Sequence, residues 1–119
     1  MELKQYQQAV LNDLAQYIAI LKEQGSNHKA FSTYWKQKGI TLQQGEETFH
    51  PYCDTMNGAP NMTIKVPTAG GKTFIACNAI RTIFDAMPVN RTKVVAWFVP
   101  SDTILKQTYE NLKNPQHPY

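Results

Sequence analysis

Eight consecutive residues, Val66-Pro67-Thr68-Ala69-Gly70-Gly71-Lys72-Thr73, constrain the fold of this chain more than any other stretch. Before them, Met62-Thr63-Ile64-Lys65-Val66 is rich in β-branched residues and predicts a short buried strand; after them, Phe74 to Met87 carries apolar residues at helical spacing. In a strand, glycine turn and helix of this order, the N–H groups of the turn and of the first helical turn have no intrahelical partner and point at any anion placed there. Phosphate is the natural guest. Gly70 and Gly71 let the backbone come close and tolerate positive φ, Lys72 can reach outer phosphates, and the Thr73 hydroxyl can hold magnesium.

The rest of the pattern predicts an α/β chain. Ala76, Ala79, Ile80, Ile83, Phe84 and Met87 line one helix face, which Pro88 ends. Lys93-Val94-Val95-Ala96-Trp97-Phe98-Val99 is an almost unbroken apolar run, as in a strand buried on both faces of a parallel sheet. Strand, helix and strand make a βαβ unit with a right-handed crossover, flanking helices and the phosphate site at the carboxyl ends of the strands. An N-terminal helix precedes the first strand: Tyr6, Val10, Leu14, Tyr17, Ile18 and Leu21 recur at steps of three and four between Leu3 and Gln24, and Gly25 suits its C-terminal cap. Ala30, Phe31, Tyr34 and Trp35 predict a second helix over 28–38, their aromatic rings assigned to core packing. Thr41 to Asn61, with Gly45, Pro51, Gly58 and Pro60, reads as a surface connector. Ile104, Leu105, Tyr109 and Leu112 predict a last helix, capped by Ser101 or Asp102 and ended near Asn114-Pro115.

Three motifs in this order resemble superfamily 2 helicases and translocases. Val66 to Thr73 is similar to their motif I, A-P-T-G-x-G-K-T, a variant of the Walker A loop, with Val66 and Ala69 as departures. Leu3-Lys4-Gln5-Tyr6-Gln7 resembles the L-R-x-Y-Q at the start of many such motors, in which the glutamine reads the adenine edge; the residue here is Gln7. Pro100-Ser101-Asp102-Thr103-Ile104-Leu105-Lys106-Gln107 is similar to motif Ia, P-T-R-E-L-A-x-Q, and keeps Pro100, the hydroxyl of Ser101 and the final Gln107. Asp102 replaces an arginine common in DEAD-box RNA helicases, and the likeness is nearer to the helicase subunits of type III restriction enzymes within the DEAD/DEAH group.

The resemblance implies the N-terminal portion of a RecA-like P-loop NTPase domain, the first motor domain of a DNA translocase. It divides the chain into a Gln-motif helix over 1–25, a helix and loop insertion over 26–61, and a phosphate-loop βαβ with the motif Ia helix over 62–119. It further implies ATP and Mg2+ as cofactors, with Lys72 and Thr73 as catalytic residues. Gln7, Thr68, Ala69, Gly70, Gly71, Lys72 and Thr73 would bind nucleotide, the Thr73 hydroxyl would ligate the metal, and Pro100, Ser101 and Gln107 would contact nucleic acid. The implied partners are DNA, double-stranded rather than RNA, and a second motor domain; an attached nuclease or methyltransferase stays open. Hydrolysis in these motors also needs a carboxylate pair at a strand end, and none occurs here, so the 119 residues are expected to bind nucleotide feebly without turning it over. Strands left with open edges would also favour self-association. Two other readings stay open: another P-loop NTPase, such as a small-molecule kinase, and a non-catalytic interaction domain that keeps the fold.

Composition sets the outer limits. At 119 residues with 42% hydrophobic content, the chain has material for one globular unit, or part of one. A net charge of +3, without a run of consecutive basic residues, permits nucleic-acid binding without arguing for it. Cys53 and Cys77 stand far apart, and His50-Pro51-Tyr52-Cys53 has no second ligand pair, so it reads as loop and not zinc site. No basic-then-apolar leader and no long apolar run is present, which favours a cytoplasmic protein with no membrane association.

Overall fold

The computed structural model of the chain describes residues 2–40 and 52–117. Four helices follow one another: α1 (Gln5–Gln24), α2 (Asn27–Gln37), α3 (Lys72–Ala86) and α4 (Asp102–Lys113). Their ends have local causes. Gly25 and Gly39 take positive φ just beyond α1 and α2, the left-handed step that closes a helix at least cost when no Cβ is present. Ser26 and Ser101 cap α2 and α4 by accepting the backbone N–H groups of Lys29 and Ile104. Pro88 lies just past Met87, the C-cap of α3.

The α/β expectation is overturned. Among the described residues there is no strand and no sheet, so neither the RecA-like parallel sheet nor the βαβ unit is present. The predicted strands Met62–Val66 and Lys93–Val99 are irregular chain, with no strand assigned. Composition gives a segment a preference for a pleated surface, but a strand exists only when a second strand supplies the facing N–H and C=O groups. Without that pairing the apolar side chains stay in water: Val94 is 81% exposed and Phe98 92%.

The described residues form two compact units. One comprises 12–65. Its core is Tyr17 and Ile20 of α1 against Ala30 of α2, with Leu21 and Tyr34 packed beside them. Tyr17 meets Tyr34 edge-on at 5.6 Å, and the buried Tyr52 ring lies 5.5 Å from Phe31. The Tyr52 hydroxyl accepts the Asn61 N–H at 3.0 Å, which ties the connector's far end to a residue nine positions earlier. The aromatic residues of α2 thus serve packing. Of the connector, 41–51, which includes His50 and Pro51, lies outside the described residues.

The other unit comprises 1–11 and 66–119 and holds the glycine turn. Along α1 the buried positions are Gln7, Leu11, Leu14, Tyr17 and Ile20, a stripe shifted from the expected one. Tyr6 is 42% exposed, and Val10 and Ile18 are half-buried. The shift takes in Gln7, a polar residue that hydropathy alone leaves in solvent. On α4 the expected apolar face is open: Ile104, Leu105, Tyr109 and Leu112 are exposed and Thr108 is buried instead. No helix among the described residues is long and apolar enough to cross a membrane.

Candidate functional site

The turn ahead of α3 is organised around one carbonyl. The Pro67 oxygen accepts the Gly70 N–H at 3.0 Å, which closes the turn, and also accepts Lys72 Nζ at 3.1 Å. Lys72 is exposed, so its ammonium folds back over the loop while staying in water. Two residues take the left-handed conformation, Ala69 with φ 60° and Gly71 with φ 71°. Glycine adopts it freely, whereas alanine at such a φ costs about 1–2 kcal/mol. The sequence suggests Gly70 as the residue that absorbs this strain; the structure puts it on Ala69 itself, and Gly70 keeps a negative φ.

Gly70 is needed for a different reason. A Cβ there would lie 2.6 Å from Val66 Cγ1 and 2.9 Å from the Pro67 carbonyl oxygen, distances that no side chain tolerates. Gly71 is doubly constrained, because beyond its φ an added Cβ would lie 2.6 Å from Gln7 Nε2. The two glycines therefore let the loop pass close to itself and to the start of α1.

Gln7 and Tyr6 hold the far side of this turn. Gln7 Nε2 donates to the Gly70 carbonyl at 3.3 Å, and its Oε1 accepts the Lys4 N–H at 2.9 Å, so both ends of a side chain only 5% exposed are bonded. The Tyr6 hydroxyl donates to the same Gly70 carbonyl at 2.7 Å. The sequence reading places Tyr6 among the apolar residues of α1 and in the L-R-x-Y-Q resemblance, with no contact to the turn. A carbonyl oxygen has two lone pairs, and both are occupied here.

Gly71 caps α3 without a side-chain hydrogen bond, unlike the serine caps of α2 and α4. The N–H groups of Lys72 and Thr73, the first two helical residues, have no carbonyl within the helix to meet. With the helix dipole behind them, these groups form an anion-accepting end. Thr73 is half-buried at the second position of α3, while Thr68 and Ala69 are exposed on the turn. Further along α3, partial burial raises the Cys77 thiol above its ordinary pKa. Among the described residues no group of three or more His, Cys, Asp or Glu side chains could hold a metal.

Of the other predicted residues, Pro100 and Ser101 lie at the start of α4 and Gln107 midway along it. Pro100, Ser101 and Gln107 are exposed, and the Ser101 hydroxyl accepts the Ile104 N–H at 3.4 Å as the helix cap. Gln7, Gly70, Gly71 and Lys72 are thus brought together around one turn, and Pro100 and Ser101 stand at the capped start of α4. The family model described as type III restriction enzyme, res subunit, matches the chain over residues 1–119. No curated protein and no solved structure matches it.

Proposed function

The chain belongs to the type III restriction enzyme res-subunit family, a helicase-like superfamily 2 domain, and on that premise we propose that it is the nucleotide-binding part of an ATP-driven DNA translocase. The single observation that carries this reading is the turn itself. Two close-packed glycines lead into a helix that lacks a side-chain cap, and a lysine and a threonine open that helix.

Helicase-like domains of this kind generally use ATP and Mg2+, and the residues present fit both. The N–H groups of Lys72 and Thr73 and the Lys72 ammonium match phosphate oxygens, and the Thr73 hydroxyl is the oxygen donor that magnesium prefers. When bound, magnesium neutralises charge on the phosphate oxygens. Lys72 exchanges its bond to the Pro67 carbonyl for a phosphate oxygen. Thr68, Ala69, Gly70 and Gly71 supply the turn that brings backbone close to the ligand.

Gln7 reads the adenine edge in this proposal. Its amide gives one N–H to Gly70 and one lone pair to Lys4, which leaves one donor and one acceptor for the base. Gln7→Ala is accordingly expected to raise the Michaelis constant for ATP and to weaken discrimination against GTP. Steady-state kinetics with both nucleotides checks this, and equal, unchanged constants would confine Gln7 to its place in the loop.

Pro100, Ser101 and Gln107 contact the DNA backbone in this reading, as a helix start with a hydroxyl suits a phosphate. A second motor domain completes the hydrolytic site, and an attached nuclease or methyltransferase stays open. The exposed Val94, Phe98, Ile104, Leu105 and Tyr109 favour contacts between copies where nothing else covers them. Magnesium-dependent ATP hydrolysis by the full-length protein, stimulated by double-stranded DNA, is the expected activity. Hydrolysis that DNA leaves unchanged would favour a different phosphate-transferring enzyme; no nucleotide binding would leave an interaction domain.

A further inference from the structure

The contact between Tyr6 and the turn is 64 residues long in sequence and joins the first helical turn of α1 to the middle of the loop. At 2.7 Å it is a hydrogen bond of ordinary hydroxyl length, made by a residue that is 42% exposed. The acceptor matters more than the donor. The peptide that joins Gly70 to Gly71 is planar and trans, so its C=O and its N–H point in opposite directions. Holding the Gly70 carbonyl towards α1 turns the Gly71 N–H away from α1.

Gln7 Nε2 holds the same oxygen more loosely, at 3.3 Å. With two donors on one carbonyl, the peptide plane cannot flip unless both bonds break. Gly71 sits at φ 71° directly before α3, so the orientation of that plane decides whether its N–H lines up with those of Lys72 and Thr73. We propose that Tyr6 is a positioning residue for phosphate binding, whose hydroxyl fixes the Gly70–Gly71 peptide so that the Gly71 N–H faces the ligand. The inference rests on the reading of this turn as a nucleotide site and adds a residue that touches neither base nor phosphate.

The test is Tyr6→Phe in the full-length protein, titrated calorimetrically with ADP and, separately, with inorganic pyrophosphate, both with magnesium. Loss of one hydrogen bond to the loop is expected to weaken both ligands by the same factor, about three- to tenfold. The thermal midpoint is expected to stay that of the wild type, because the ring and its packing are kept. Weaker ADP binding with unchanged pyrophosphate binding would place Tyr6 at the base and overturn the proposal, as would unchanged affinity for both. Lys72→Ala separates the two levels. If that variant loses both ligands while Tyr6→Phe binds like wild type, only the role of Tyr6 fails; if Lys72→Ala binds both normally, the nucleotide site fails and takes the Tyr6 proposal with it.

Discussion

Lys72→Ala in the full-length protein is expected to lower ATP turnover by at least about a hundredfold, the usual cost of removing one donor aimed at developing charge. The fold should be untouched. Lys72 is exposed, its bond within the chain is to the Pro67 carbonyl at the surface, and alanine is a good residue at the first position of a helix. The turn keeps its second closure, the Gly70 N–H to the same carbonyl at 3.0 Å. Phosphate release in the presence of DNA, measured beside a thermal melt, separates chemistry from stability. A variant that melts like wild type and hydrolyses ATP at the wild-type rate would remove Lys72 from the site.

Gly71→Ala is expected to damage the fold itself. Alanine at φ 71° costs about 1–2 kcal/mol, as for any L-residue forced into the left-handed region. Its Cβ would also stand 2.6 Å from Gln7 Nε2 and push that amide off the Gly70 carbonyl. Gln7 is 5% exposed, and a buried amide left without a partner costs about 1–3 kcal/mol more. A loss of roughly 2–5 kcal/mol is therefore expected, read as a lower urea midpoint at unchanged slope. Gly25→Ala is the internal comparison, because Gly25 has φ 62° with nothing within 4 Å of the added Cβ and so isolates the conformational cost. Equal losses for the two variants would mean that the Gln7 contact adds nothing.

These two residues are adjacent yet differ in how legible they were. The role proposed for Lys72 follows from a linear pattern, because a lysine next to a helix start needs only its neighbours to be placed. The constraint on Gly71 is partly local, in its φ, and partly imposed by Gln7, more than sixty positions away. Ala69 shows the same limit. The pattern indicates that one residue near the second glycine must take a strained conformation, but which one is set by the Pro67 carbonyl and by the space around Gly70.

By itself the sequence determined the helices and their ends, together with the motif order that marks the family. Gly25, Ser26, Gly39, Pro88 and Ser101 act on backbone groups within about four residues of themselves, so their effects are read from neighbours alone. The tertiary structure alone decided which stripe of α1 is buried, that Gln7 belongs to it, and that Tyr6 reaches Gly70. It also decided that the β-branched run over 62–66 and the apolar run over 93–99 form no strand. The physical reason is the range of the interaction. A helix closes its hydrogen bonds four residues away, while a strand, a buried face and a held carbonyl each depend on a partner whose position the local chain does not encode.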